Sequence, residues 1–418
     1  MSAAEGSQLD SRRSWIQLVA IVALSALGGV GMWSVVVALP FVQAEFGATR
    51  ADASLPYTLT MVGFAAGGIL MGRLSDRFGA MVPVMAGSIV MGIGYILAGM
   101  AGSLAWFAIA QGVLIGMLGS SATFGPMMAE ASLWFMRRRG IAVALAASGN
   151  YLAGVVWPPL LTVLIGNWGW RVAHIVVGCI VLVTMPLIAL MLRTRPPAIR
   201  VAAPVAGAPP PRADRPLGMS KNTLTAVLGF AGIGCCIAMA MPQVHIVAYC
   251  GDLGYGVARG TEMLSLMLGF GIVSRIASGF IADRIGGLRT LLLGALLQAV
   301  AVALYLFFDS LFSLYVISAL FGLFQGGIVP SYAIIVREYF PAREAGTRVG
   351  IVLMATLGGM ALGGWLSGYI FDLTGSYAAA FLNGVAWNAV NLVILTTLLI
   401  RAQGGHGRGH GRVAPATA

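Results

Sequence analysis

Charge is what this sequence has least of. Only 9% of its 418 residues are Asp, Glu, Lys or Arg, against 59% hydrophobic, and the mean hydropathy is +0.90. A water-facing surface needs roughly a quarter of its residues charged, so a soluble globular domain is excluded. Lysine is almost missing, with Lys221 alone among 25 basic residues. No G-x-x-x-x-G-K-[ST] loop occurs, which excludes ATP-driven work by this chain. The four cysteines (Cys179, Cys235, Cys236 and Cys250) lie in or beside apolar runs without metal-ligand spacing, so they read as small packing residues. No nucleophile–base pair or metal cluster stands out, so no enzyme, cofactor or metal site is expected.

Long apolar runs fill the space instead. A membrane helix needs about 20 apolar residues. Twelve stretches qualify: 15–40, 53–72, 80–101, 104–134, 140–165, 171–192, 223–249, 261–282, 288–308, 311–336, 348–371 and 377–400. Open sheets are excluded, because unpaired backbone groups are not tolerated in lipid. The polar start, Met1 to Arg13, leads into an apolar run far longer than the core of a cleavable signal, so none is expected.

The formal charge of +11 does not point to nucleic acid, because the charges sit in short clusters between apolar runs. With both termini on the cytoplasmic side, 21 of the 25 basic residues fall in cytoplasmic segments, and only Arg50, Arg171 and Arg259 fall opposite. That is the positive-inside pattern. The expected organisation is a cytoplasmic tail (1–13), a six-helix bundle (14–192), a Pro- and Ala-rich cytoplasmic linker (193–222), a second bundle (223–401) and a cytoplasmic tail (402–418). Linker and tail read as disordered, the tail histidines as solvated rather than metal-binding.

The two halves repeat. Gly72-Arg73-Leu74-Ser75-Asp76-Arg77-Phe78-Gly79 follows the second span, and Gly279-Phe280-Ile281-Ala282-Asp283-Arg284-Ile285-Gly286 follows the eighth, 279 − 72 = 207 residues later. Gly140, Gly149 and Gly154 likewise match Gly350, Gly359 and Gly364 at an offset of 210. The G-x-x-x-D-R-x-G loop and its echo resemble the signature of the major facilitator superfamily. The resemblance runs from about Trp15 to Ile400. It implies an all-α integral membrane protein with 12 transmembrane helices in two pseudo-symmetric six-helix bundles. It also implies that Gly72, Asp76, Arg77 and Gly79, with Gly279, Asp283, Arg284 and Gly286, form a conformational latch rather than a substrate site.

Within that superfamily, Trp134 to Ala142 followed by Ala147-Ser148-Gly149, and Arg275 ahead of Gly279, resemble the monocarboxylate porters and the oxalate–formate exchangers. The resemblance implies that Arg275 binds the substrate carboxylate. The sequence departs from those families where their helix 8 aspartate is replaced by Gly271 and the exchanger's helix 11 lysine by Thr356. Helix 1 carries no lysine, and Ser14-Trp15 is the nearest trace of the eukaryotic members' acidic helix 1 signature.

Arg275 is also the exception to the charge pattern, lying about 14 residues into the eighth span. A charge at that depth costs about 2.5–3.5 kcal/mol or more. Gly271 and Gly279 occupy the helical positions where a carboxylate partner would sit, leaving a bound anion as the natural counter-ion. Pairing with Glu130 or with backbone carbonyls is the structural alternative. One cation favours one negative charge on the ligand, hence a short monocarboxylate such as lactate or pyruvate. Asn150, Tyr151, Gln243, His245 and Tyr332 are further candidates for substrate contact, with Trp33, Tyr57 and Phe64 as apolar walls. Asn388 and Asn391 are weaker, since the twelfth helix usually flanks the bundle. His245 and Glu130 are the candidates for proton coupling, with Glu130 also a candidate latch partner of Arg77 or Arg138; His174 lies near the outer mouth. Trp157-Pro158-Pro159 is expected to disturb the fifth helix, while Gly358, Gly359, Gly363, Gly364 and Gly368 give the eleventh a smooth face.

The expected function is secondary active transport of a small carboxylate, with a proton, by a monomer in the cell membrane (the inner membrane of a bacterium). Carboxylate exchange or export is the alternative in the same class, and a transporter-like carboxylate sensor the alternative outside it.

Overall fold

The computed structural model describes residues 9–136, 138–194 and 216–407. Most of the proposed linker, the start of the chain and most of the tail lie outside them. Among the described residues the chain is almost wholly helical, without strands. Eleven helices among the described residues are long and apolar enough to cross a membrane. We label them α1 (Arg12–Phe46), α2 (Arg50–Phe78), α3 (Met81–Gly99), α4 (Leu104–Trp134), α5 and α6 (within Gly140–Arg193), α7 (Lys221–Asp252), α8 (Val257–Ile285), α9 (Gly287–Leu304), α10 (Leu311–Tyr339), α11 (Glu344–Thr374) and α12 (Tyr377–Gln403).

Gly140–Arg193 counts as two spans. Its 54 residues would be about 80 Å long as one helix, far beyond a hydrocarbon core of about 30 Å. The break is Gly169, at φ 79 and ψ 162, a conformation open to glycine. The chain reverses there. The Arg138 amide meets Asp10 at one end of the bundle, Arg171 pairs with Glu45 at the other, and the Met191 carbonyl returns to Gln17. Twelve spans result, as the sequence leads one to expect.

The repeat is visible in conformation as well as in residue type. Gly79 and Gly286 end α2 and α8 at φ 84, ψ 161 and φ 85, ψ 159. Gly149 packs on α1 at Ser25, and its counterpart Gly359 packs on α7 at Ile233. Gly154 receives Leu268 from the opposite half, and Gly364 receives Tyr57 from the opposite half. Small residues thus sit where two helix backbones approach closely, the usual device for association in lipid. α1 and α7 bury 72% and 78% of their apolar stretches, against 33–56% for the other helices, so this pair forms the centre of the bundle.

The two halves meet along α2–α11 and α5–α8, and the ties are concentrated at one end. There the Asp372 carboxylate accepts from the first amides of α2, Arg50 N at 2.8 Å and Ala51 N at 2.7 Å. The Arg50 guanidinium pairs with Asp252 at 3.0 Å and lies over Phe371, 4.8 Å from its ring centre. Thr162 bonds Thr261 at 2.8 Å, and Thr58 donates to the Ala361 carbonyl at 3.0 Å. Toward the Asp76 end the pattern stops. Asp76, Arg77, Asp283 and Arg284 are exposed, and among the described residues no hydrogen bond or ion pair joins them to the opposite half. The hydrogen bonds and ion pairs between the halves thus gather at the Arg50 end, and among the described residues none involves Asp76, Arg77, Asp283 or Arg284.

Two expectations need correction. The proline pair does not break α5, whose dihedrals stay helical through Pro158 and Pro159. One lateral contact, from Trp157 Nε1 to the Ala26 carbonyl at 3.0 Å, ties it to α1, and within the helix Thr162 Oγ1 donates to Pro158 O at 2.9 Å. The irregular helices are α4, where residues 110–123 wind as π and then 3-10 turns, and α10, interrupted at Gly326–Gly327. Asn388 and Asn391 do not flank the bundle either. Both are fully buried, Asn388 donating to the Ala295 carbonyl at 2.9 Å and Asn391 accepting from Tyr332 at 3.2 Å. They bind α12 to α9 and α10.

Candidate functional site

Arg275 lies on α8 where the two halves touch. Its Nη1 donates to the Ala147 carbonyl on α5 at 2.9 Å, and its Nε to the Gly326 carbonyl on α10 at 3.4 Å. The guanidinium carbon stands 4.2 Å from the centre of the Tyr151 ring. Three helices from both halves therefore hold one cation. Among the described residues it has no carboxylate partner, and Glu130, the acid proposed from sequence, is not one.

Local sequence explains the fit. Tyr151 fills the space beside Gly271, where a β-carbon would meet the ring at 3.2 Å. The position of the missing aspartate is thus covered by an aromatic face from the other half. An aromatic face attracts a cation without neutralising it, so the guanidinium keeps its capacity to pair with an anion. On α10, a side chain at Gly326 would run into the Gly271 backbone. The helix interruption that this close approach accompanies leaves the Gly326 carbonyl to accept from Arg275.

The other candidates separate into three groups. Tyr151 is brought to Arg275. Asn150, its neighbour, turns to α1 instead: its carbonyl and side-chain oxygens accept from Trp33 Nε1 at 3.1 and 3.3 Å, and its amide faces the Met32 sulfur at 3.2 Å. Gln243 on α7 donates to Gln325 Oε1 on α10 at 3.1 Å. Gln325 is one residue from Gly326, and sequence reasoning missed it. The available signal was a single amide immediately before a Gly-Gly pair in an apolar run.

His245 and Tyr332 sit elsewhere. His245 Nε2–H donates to the Gly364 carbonyl at 2.8 Å and Nδ1 faces the Tyr377 hydroxyl at 3.3 Å. Both ring nitrogens are engaged, and the residue is fully buried near the closed end. Tyr332 is tied to Asn391. Glu130 accepts from Trp134 Nε1 at 3.0 Å and makes no ion pair with Arg77 or Arg138 among the described residues. His174 lies against Trp170 and Gln111, within the first half. Tyr57 is buried across the interface against Gly364, its hydroxyl unpartnered among the described residues.

A cation shared by two halves, over an aromatic face and without an acid, can hold a carboxylate. It can also report which way the halves are docked, since Ala147 and Gly326 belong to different bundles. Among the described residues no group of His, Cys, Asp and Glu is arranged for a metal.

Comparison with known proteins bears on this geometry. The family description "Major Facilitator Superfamily" matches residues 21–310 and 263–415. Monocarboxylate transporter 13 of Bos taurus is 31% identical over 328 residues, covering 78% of this chain and 75% of that protein. The agnestins efflux protein of Paecilomyces divaricatus is 26% identical over 342 residues, 80% of this chain and 76% of that protein. Among solved structures, a bacterial homolog of the human lysosomal transporter Spinster, in an inward-facing and occupied conformation, superposes with a TM-score of 0.69 at 16% identity. It covers 94% of this chain and 97% of that one. At that identity the likeness speaks for the fold.

Proposed function

This chain belongs to the Major Facilitator Superfamily and is a membrane transporter rather than an enzyme, and from that premise we propose that it carries a small monocarboxylate by alternating access, with Arg275 as the carboxylate anchor. One observation carries the reading: Arg275 is held by α5, α8 and α10 at the seam of the two halves and has no acidic partner among the described residues. The cost of placing a guanidinium at this depth is offset when an anion accompanies it, and the planar fork matches a carboxylate in two parallel bonds. A single cation favours a single carboxylate. The likeness to a monocarboxylate transporter supports the same substrate class.

The arginine-rich Asp76 end is the cytoplasmic end in this reading, by the positive-inside pattern. The arrangement, tied at Arg50 and, among the described residues, untied at Asp76, is then the inward-facing one, and the exposed Asp76, Arg77, Asp283 and Arg284 form the latch in its released state. Engagement of that latch and release of Arg50 would give the outward-facing state. Proton coupling is assigned to Glu130 rather than His245. Both nitrogens of His245 are engaged, whereas Glu130 accepts a hydrogen bond at one oxygen, from Trp134.

Purified protein in proteoliposomes separates the possibilities. Uptake of labelled lactate or pyruvate that is accelerated by an inwardly directed proton gradient supports symport; uptake that requires a carboxylate inside supports exchange. Absence of carboxylate transport in either format would overturn the proposal.

A further inference from the structure

Two buried amides, one of them the residue before the Gly326 carbonyl that accepts from Arg275, leave part of their hydrogen-bonding capacity unused. Gln243 and Gln325 are 1% and 0% exposed. Gln243 Nε2 donates to Gln325 Oε1 at 3.1 Å, while Gln243 Oε1 and Gln325 Nε2 have no partner among the described residues. This does not depend on how either amide is turned. Two carboxamides joined by one hydrogen bond always leave one carbonyl oxygen and one amino group over. Buried polar atoms are ordinarily matched, so a buried pair offering one acceptor and one donor is shaped for a group that can do both.

The pair also stands where α10 is interrupted, facing a stretch of α7 that stays helical through a proline. Pro242 precedes Gln243 directly, and the interruption of α10 at Gly326–Gly327 follows Gln325 directly. Interrupted helices are where transporters of this kind hold substrates. Gly326, the next residue after Gln325, already gives its carbonyl to Arg275. The amide pair and the cation therefore share one short stretch of α10.

We propose that Gln243 and Gln325 form a second subsite that reads a hydroxyl on the carboxylate held by Arg275, so that the preferred cargo is a hydroxylated monocarboxylate. This rests on the carboxylate reading above. A hydroxyl donates to the free amide oxygen and accepts from the free amino group, completing both amides at once. A 2-oxo group can only accept and completes one. An unsubstituted chain completes neither and leaves both polar atoms buried and unmatched.

Lactate and propionate make the test, since they differ only in the C2 hydroxyl. Wild-type protein in proteoliposomes should prefer lactate over propionate in kcat/KM by at least about tenfold, with pyruvate between them. Gln243→Met and Gln325→Met keep the shape of the side chain and remove the amide. Each should bring the lactate-to-propionate ratio of kcat/KM close to one, with folding and insertion checked separately by fluorescence-detected gel filtration. Thermal stabilisation of detergent-solubilised wild type should likewise be larger with lactate than with propionate. Equal wild-type handling of the two acids in uptake and stabilisation overturns the subsite but leaves the Arg275 reading intact. So does a lactate preference that survives in both variants, the result expected if water alone completes the amides. Failure of wild type to take up or bind any of the acids removes the carboxylate reading and this inference with it.

Discussion

Replacing Asp372 with asparagine perturbs the tie that closes the two halves at the Arg50 end. The carboxylate accepts from Arg50 N and Ala51 N, both at the start of α2 in the opposite half. Those amides are among the first of a helix and have no partner within it. Hydrogen bonds to a charged acceptor contribute about 1.5–3 kcal/mol each when well shielded. Asp372 is exposed, so the lower figure, about 1.5 kcal/mol for the pair, is the fitting one. Asparagine keeps an acceptor oxygen and loses the charge. Since about 1.4 kcal/mol is a factor of ten, the equilibrium should move roughly tenfold toward the state open at Arg50. Spin labels on the exposed positions Asp52 and Ser376, on opposite halves, would report it in cysteine-free protein. The variant should show a second, longer distance whose population grows, and Arg50→Gln, which removes the Asp252 pair, should move it the same way. A distance distribution identical to wild type in both variants would refute the reasoning.

Other expectations concern the seam between the halves. Tyr151→Leu removes the aromatic face under Arg275 and should raise KM for the carboxylate about three- to tenfold, whereas Tyr151→Phe keeps the face and should stay near wild type; transport kinetics distinguish them. Gly271→Asp supplies Arg275 with a resident counter-ion and presses on Tyr151, so uptake should fall by more than about tenfold while the protein still inserts; fluorescence-detected gel filtration checks the insertion. Glu130→Gln should abolish acceleration by a proton gradient while leaving carboxylate exchange, and His245→Gln should leave that acceleration in place; parallel gradient and counterflow assays test both.

Most of the architecture was legible because lipid constrains it so strongly. Twelve apolar runs and paired Asp-Arg loops can follow from hydropathy, charge and a fixed offset, without knowing which helix touches which. The positive φ of Gly79 and Gly286 shows why glycine stands at both loop ends, a reason that the motif alone does not state. Arg275 was legible because a lone charge in an apolar run has few explanations. Hydropathy does not show which face of a helix looks inward. Asn388 and Asn391 therefore passed for flanking residues, although both are buried ties to α9 and α10. The partners of His245, a proton-coupling candidate in the sequence, were not readable from it, since Gly364 and Tyr377 lie more than a hundred residues away. The Arg50 closure joins residues 322 positions apart, and nothing local to Arg50 or Asp372 announces it. Gln325 escaped for a related reason. Its meaning comes from the break at Gly326, and that break comes from the approach of α8 at Gly271, a packing event between distant segments.

Uptake of labelled lactate by proteoliposomes holding wild type or Arg275→Gln is the most direct test of the account. Glutamine keeps a hydrogen-bond donor at the position of Nε, for the Gly326 carbonyl, while removing the positive charge and the reach to the Ala147 carbonyl. Uptake, and protection of the protein by lactate against thermal unfolding, should both be lost, while the variant keeps the wild-type distance distribution at the Arg50 end. Lactate uptake within about twofold of wild type in Arg275→Gln would contradict the account.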